Sequence, residues 1–205
     1  MQTPTVFRFQ ELGFATKVVA GAMVIIVTWL SLPLGFLAFG AFLFLHLLLR
    51  PITRGITTAD GLVAPIDGVI TDVRQDGAHW RIELLADSFQ SQLIYAPTQA
   101  VVADKLWIDG DYLDHEEEAS EALNARYEYQ LTSSKGFDII FTIYGARWTR
   151  LLHMPFAEGQ AMVAGEPFGY ALLRSHVAIL LPIDAQILVQ QGHACLAKQT
   201  FLAKL

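Results

Sequence analysis

Two groups of side chains in this 205-residue sequence have the types that chemistry uses. Cys195 is the single cysteine, so an internal disulfide framework is excluded; one thiol fits a reducing compartment and reads as a small buried hydrophobe. His115-Glu116-Glu117-Glu118 sets an imidazole beside three carboxylates, the ligand types of a metal centre. Consecutive residues point in different directions on any regular element, so the run reads as a solvated face and no metal site is expected. Phosphate-backbone chemistry is excluded more broadly. The chain carries 14 Lys and Arg against 20 Asp and Glu, a net charge of -6, and no basic stripe, so no nucleic-acid partner is expected.

Two regions with different solvents must position whatever chemistry remains. Over residues 18–49 the one ionisable residue is His46, whereas charged residues recur at normal density from Arg50 onward. An apolar run of that length is too long for one straight span of about 20 residues and short for two. Ser31-Leu32-Pro33-Leu34-Gly35 divides it, because proline removes a backbone donor and glycine loosens the turn. The expectation is a membrane helical hairpin with arms over residues 18–30 and 34–49, each marginal for full crossing. Arg8 and Lys17 precede it and Arg50 and Arg54 follow it, which places both ends on the cytoplasmic face of the cell (inner) membrane. The division is then a cytoplasmic N-terminal segment (1–17), the hairpin (18–49) and one domain (50–205).

The domain reads as mainly β. Short β-prone runs with frequent glycine fall at residues 62–64, 69–73, 79–85, 92–95, 137–144, 148–152, 168–173 and 177–181, while residues 114–124 form a short helix or a loop. Glu158-Gly159-Gln160-Ala161-Met162-Val163-Ala164-Gly165-Glu166-Pro167-Phe168 recurs in weaker form as Gln191-Gly192-His193-Ala194-Cys195-Leu196-Ala197-Lys198-Gln199-Thr200-Phe201. Together with Ala64-Pro65-Ile66-Asp67-Gly68-Val69-Ile70, this internal repeat resembles the small barrel-sandwich of biotinyl and lipoyl carrier domains. A carrier needs a lysine at a hairpin tip, and no Met-Lys or Asp-Lys pair stands there. A carrier-like or membrane-fusion adaptor role stays as a third reading.

Taken in order, the same segments resemble the phosphatidylserine decarboxylase family, in its shorter membrane-hairpin form. The segments are Leu49-Arg50-Pro51-Ile52-Thr53-Arg54, Gly61-Leu62-Val63-Ala64-Pro65-Ile66-Asp67-Gly68, Tyr95-Ala96-Pro97, Gly145-Ala146-Arg147, Glu158-Gly159, Gly165-Glu166-Pro167-Phe168-Gly169 and Arg174-Ser175-His176-Val177-Ala178-Ile179-Leu180-Leu181-Pro182. They cover nearly the whole chain. The resemblance implies a proenzyme in which a serine hydroxyl attacks the preceding carbonyl. The ester eliminates and hydrolyses to a self-generated pyruvoyl cofactor, which forms a Schiff base with a serine phospholipid and accepts electrons as carbon dioxide leaves. A histidine base and an aspartate orienter accompany that serine, as in a hydrolase triad.

Carried over by position, the resemblance makes Ser175 the scissile serine, with cleavage between Arg174 and Ser175, and Asp67 the catalytic aspartate. Gln92 stands where the family's base belongs, and an amide side chain takes no proton at neutral pH. Arg174 replaces the family's glycine in a strained turn. His176 and His153 are candidate substitute bases or plain structural residues. Arg147 and Arg150 match basic positions and either bind a lipid phosphate or are ordinary surface arginines. Two outcomes of different class follow. Either Ser175 matures and the protein decarboxylates a serine phospholipid, or the site is degenerate and the protein is a pseudoenzyme, a lipid-binding or complex-assembly module without cofactor. Gln92 and Arg174 favour the second. The partners expected are a membrane phospholipid and a second copy or another membrane protein.

Overall fold

A computed structural model describes residues 5–48, 54–56, 61–86, 93–117, 119–147, 149, 152–171 and 174–205. It forms two compact units, Met1–Pro51 and Ile52–Leu205, which are taken separately.

The first unit holds helices α1 (Thr5–Leu30) and α2 (Leu32–Leu48), separated by Ser31 alone. Pro33 lies in the first turn of α2, where its missing N–H is no loss. Gly35 is buried, and a Cβ there would strike Thr28 of α1, so glycine is what lets the arms close. Thr28 turns its hydroxyl back to the Val24 carbonyl (2.7 Å), which satisfies it within the helix. The break falls where Ser31 and Pro33 predict it, but α1 reaches back to Thr5 and α2 starts at Leu32. Side chains described on these helices expose mostly Val, Ile, Leu, Phe and Trp, with Trp29 91% exposed. The 17 residues of α2 rise about 25 Å against a hydrocarbon core of about 30 Å. Among the described residues no helix is long and apolar enough to cross a membrane.

The second unit is mainly β, as expected. Its strands are β1 (Gly61–Val63), β2 (Gly68–Asp76), β3 (His79–Ala86), β4 (Leu93–Tyr95) and β5 (Ala100–Ile108), then helix α3 (Ser120–Leu123). There follow β6 (Arg126–Ser133), β7 (Asp138–Tyr144), β8 (Leu152–His153), β9 (Ala161–Met162), β10 (Pro167–Ala171), β11 (His176–Pro182), β12 (Gln186–Ile187), β13 (Ala194–Cys195) and β14 (Phe201–Lys204). A large sheet, curled into a half-barrel, runs β13-β2-β3-β11-β7-β6-β5-β9, and two small sheets run β1-β14-β12 and β4-β10-β8. The β5–β6 hairpin was not expected from the sequence, because Ala100–Ile108 and Arg126–Ser133 interleave charged residues with apolar ones.

These orders are palindromic, and the palindrome is a pseudo-twofold axis between β11 and β7. β2 answers to β5, β3 to β6, β13 to β9, and the sheet β1-β14-β12 to β4-β10-β8. Hydrogen bonds repeat across it. Val63 N–H donates to the Pro97 carbonyl (2.8 Å) and Tyr95 N–H to the Pro65 carbonyl (2.9 Å). Gly192 and Gly159 donate to the carbonyls of Ile70 and Val102, each at 2.8 Å. Both hairpins slip register at matching places, Ile70/Asp72 and Val102/Asp104. Even left-handed residues pair, Gly159 with Gly192 and Gly165 with Lys198. The repeat read from residues 158–168 and 191–201 is therefore one part of a duplication that spans the unit. Apolar faces of both halves share one core, in which Phe168 stacks on Phe156 (4.8 Å) and meets the edges of Tyr129 (4.7 Å) and Phe141 (5.3 Å).

Gly68 opens β2 where Ala86 of β3 lies opposite, and a Cβ there would collide with the Leu85 carbonyl. Main chain in a paired strand cannot yield, so Gly68→Ala is expected to cost about 2–3 kcal/mol. A fall of several degrees in Tm, measured by thermal unfolding in detergent, checks this.

Candidate functional site

Strand ends bring two of the expected site residues to one end of the large sheet. Asp67 precedes β2, Gly68 pairs with Ala86 at the end of β3, and Ala86 N–H donates to the Ser175 carbonyl (2.8 Å) just before β11. Asp67 and Ser175 thus stand two strand spacings apart, about 10 Å along the sheet.

Each is buried and hydrogen-bonded within the fold. Asp67 is 5% exposed, and its Oδ1 accepts from Arg54 Nη1 (2.6 Å) and from the Ala197 N–H (2.7 Å). Ser175 is 1% exposed and donates its hydroxyl to the Ala171 carbonyl (3.0 Å). Arg174 adopts φ 58°, the left-handed region, at a cost of roughly 1–2 kcal/mol for a residue with a Cβ. Its carbonyl accepts from the hydroxyl of buried Thr149 (3.3 Å), and its half-exposed guanidinium lies 4.0 Å from Glu116. Arginine therefore takes the backbone conformation that glycine would take here more cheaply.

The histidine beside the serine faces away. Val177, Ile179 and Leu181 of β11 enter the core, so alternation puts His176 on the outer face of the sheet. There its Nε2 meets Glu83 Oε2 at 3.2 Å and its ring stacks on Tyr144 (4.8 Å). Arg81 Nε donates to Glu83 (2.5 Å), and Arg81 Nη2 donates to the Tyr144 hydroxyl (3.1 Å) and to Glu121 of α3 (2.8 Å). Arg74 joins through Asp72, Glu83 and Glu121. Burial pushes the Glu83 carboxyl up, but the hydrogen bonds from His176 and Arg81 outweigh it and hold the group well below the usual carboxylate range. His115, 6.3 Å ring to ring from His176, is pushed down by burial and by Arg174 and His176.

The other candidates are dispersed. His153 is exposed on β8, 5.3 Å from the Tyr170 ring, and Arg147 is exposed. Gln92, Arg150 and Glu118 lie outside the described residues. Among the described residues no group of His, Cys, Asp and Glu is arranged to hold a metal. Cys195 is buried, with its thiol pushed up to about 11 by burial, which suits a small hydrophobe rather than a nucleophile. Sequence reasoning missed Arg81, Glu83, Tyr144 and Thr149. The first two were detectable as charges inside an otherwise apolar strand; Tyr144 and Thr149 gave no local signal.

The fold and site together are those of a duplicated, mainly β domain with a buried aspartate and a buried serine, the latter after a left-handed residue, at one end of its main sheet. The particular family follows from sequence comparison. The phosphatidylserine decarboxylase family profile matches residues 41–203, and this chain belongs to that family. Among its relatives, each named phosphatidylserine decarboxylase proenzyme, that of Paramagnetospirillum magneticum is 27% identical over 74% of this chain and 68% of its own length. That of Chlorobaculum tepidum is 28% identical over 94% of both chains, and that of Azorhizobium caulinodans is 28% identical over 90% of this chain and 84% of its own.

Glu83→Gln removes a charge that Arg81 and His176 both compensate, and should cost about 3 kcal/mol at neutral pH. The native Glu83 pKa lies below its unfolded value, so this stability is present above about pH 4.5 and is lost as pH falls toward the folded pKa. Unfolding of both proteins across pH 3–7 should show the gap closing at the acid end.

Proposed function

We propose that this chain is a non-catalytic member of its family. It is held on the cell (inner) membrane by α1 and α2 with the β-domain on the cytoplasmic face, and acts in phospholipid metabolism as a lipid-binding or complex-assembly module. The observation that carries the reading is the engagement of Asp67. Its carboxylate is bonded to Arg54 and Ala197, so it serves as a clamp of the fold rather than as the orienter of a base. The Ser175 hydroxyl is likewise turned to the Ala171 carbonyl. Family chemistry uses a pyruvoyl group made from that serine, and the donor set here does not fit its formation: a glutamine, Gln92, in place of the base, and an aspartate already ion-paired. His176 is held by Glu83 on the other face, and His153 lies out beside Tyr170, so neither supports a substitute base. The exposed Arg147, with Arg150, is the candidate contact for a lipid phosphate, and a second copy or another membrane protein is the partner for assembly.

One observation favours a second reading, in which Ser175 still matures and the protein is a decarboxylase of serine phospholipids. The left-handed Arg174 presents its carbonyl to the Thr149 hydroxyl. In that reading Ser175 Oγ attacks the Arg174 carbonyl carbon and Thr149 donates to the developing oxyanion. The Arg174–Ser175 amide then breaks to an ester as the hydroxyl proton passes to the serine nitrogen.

The intact mass of the purified chain separates the two readings. A single full-length species is expected, and Gln92→His alone should not restore cleavage while Arg54 holds Asp67. Fragments 1–174 and 175–205, the latter with a blocked N-terminus, would establish the second reading. Thr149→Val should then slow cleavage about tenfold or more.

A further inference from the structure

The pseudo-twofold axis allows two halves of one chain to be compared position by position. Positions that face the shared core are apolar in both halves because burial there requires it; exposed positions carry no such requirement. Three exposed pairs are nonetheless apolar in both: Val69 with Val101 (45% and 43% exposed), Leu196 with Val163 (45% and 59%), and Ala194 with Ala161. In each half the three lie together. Ala194 pairs with Val69 and Ala161 with Val101 across the ladder, and Leu196 and Val163 follow two residues on.

The two turns that carry Leu196 and Val163 meet near the axis. A Cβ built on Gly165 would come within 3.5 Å of Lys198 Cγ and 2.7 Å of Ile56 Cγ1, and Ile56 is itself 42% exposed. The segment in which Ile56 lies enters the domain here. Arg54 is clamped on Asp67, and Asp67 also holds the N–H of Ala197, next to Leu196. Six peptide links join Leu48, the last residue of α2, to Arg54, a reach of at most about 20 Å. In the chain, then, only a short segment separates Arg54 of the β-domain from an apolar helical pair.

We infer that this end of the β-domain is a bilayer-docking surface, on which the Val163 and Leu196 turns and the flanking Val69 and Val101 seat in the interfacial region of a phospholipid membrane. The inference rests on the membrane reading of α1 and α2 above and is independent of whether Ser175 is cleaved. Apolar side chains on paired rigid turns suit shallow insertion, because the turn backbone is already hydrogen-bonded and little order is lost on docking.

The test uses the full chain with one added cysteine at a time: Val163→Cys, Leu196→Cys, Asp76→Cys at the β2–β3 tip, or Trp29→Cys in α1. Each carries a nitrobenzoxadiazole label in phosphatidylethanolamine–phosphatidylglycerol vesicles. Buried Cys195 stays unlabelled in the folded chain, and thermal unfolding shows that each variant is folded. Labels at 163 and 196 should be blue-shifted, quenched by shallow spin-labelled lipid and protected from iodide, while the label at 76 stays open to iodide. If the label at 29 is lipid-quenched but those at 163 and 196 are as open to iodide as that at 76, the docking surface is overturned and the membrane reading stands. If the label at 29 is not lipid-quenched, both fall. Protection at 163 and 196 without lipid quenching, growing with protein density in the vesicles, would assign the surface to a second copy and overturn the proposal.

Discussion

A carboxylate taken out of water has to be compensated, and left alone it costs several kcal/mol. Asp67 is such a group. Its two partners lie far apart in sequence, Arg54 thirteen residues before it and the Ala197 N–H 130 residues after. One buried charge therefore ties together the entry of the domain, the start of β2 and a turn near the C-terminus. Its counterpart across the pseudo-twofold axis is Gln99, an exposed amide. The duplication is thus broken where the chain enters.

The outer face shows a second break. In one half the β2–β3 strands are joined by a tight turn at Gly77, whereas the matching β5–β6 connection is an insertion that contains α3. That insertion bonds within its own half, where Gly145 N–H donates to the Ala125 carbonyl (2.7 Å), and also reaches across to the other. Glu121 reaches Arg81 and Arg74 in the other hairpin, and His115 approaches His176, so the acidic segment covers the face of β2, β3, β11 and β7. A buried cluster of alternating charges survives there because each member has more than one partner, the condition under which low-dielectric ion pairs are tolerated. The histidine next to Ser175 belongs to that structural cluster.

Much of this architecture was legible in the residues. Strand runs such as His79–Ala86 and His176–Pro182 are apolar and bounded by turns, and the Gly159/Gly165 pattern visibly recurs at Gly192/Lys198. Harder to see was the duplication as a whole, since Ala64-Pro65 and Ala96-Pro97 are short, and the halves otherwise share burial rather than identity. Core positions such as Ile82 and Tyr129 answer to each other geometrically while differing in type. Position-by-position carry-over from the family singled out Asp67 and Ser175 but could not see that they stand at one end of a sheet or what already bonds them. Arg54 read as a topology signal beside the apolar run, and its ion pair is a long-range property of the fold.

Arg174 is the residue that most invites a catalytic reading, since strained backbone beside a reactive group often marks a functional site. The fold supplies its own comparison. Lys198 also sits in the left-handed region, at φ 68°, in a turn where Gly165 is its pseudo-symmetric partner. There the strain is sustained by bonds on either side, from the Lys198 N–H to the Ala64 carbonyl (3.0 Å) and from the Thr200 N–H to the Leu196 carbonyl (3.0 Å). At Arg174 the Thr149 hydroxyl and the Ala86–Ser175 bond play the same part. Two hydrogen bonds worth about 1 kcal/mol each are enough to offset a left-handed residue. The turn before Ser175 therefore persists without any requirement that its peptide bond break, and it is the engagement of Asp67, rather than the strain at Arg174, that weighs most in the functional reading.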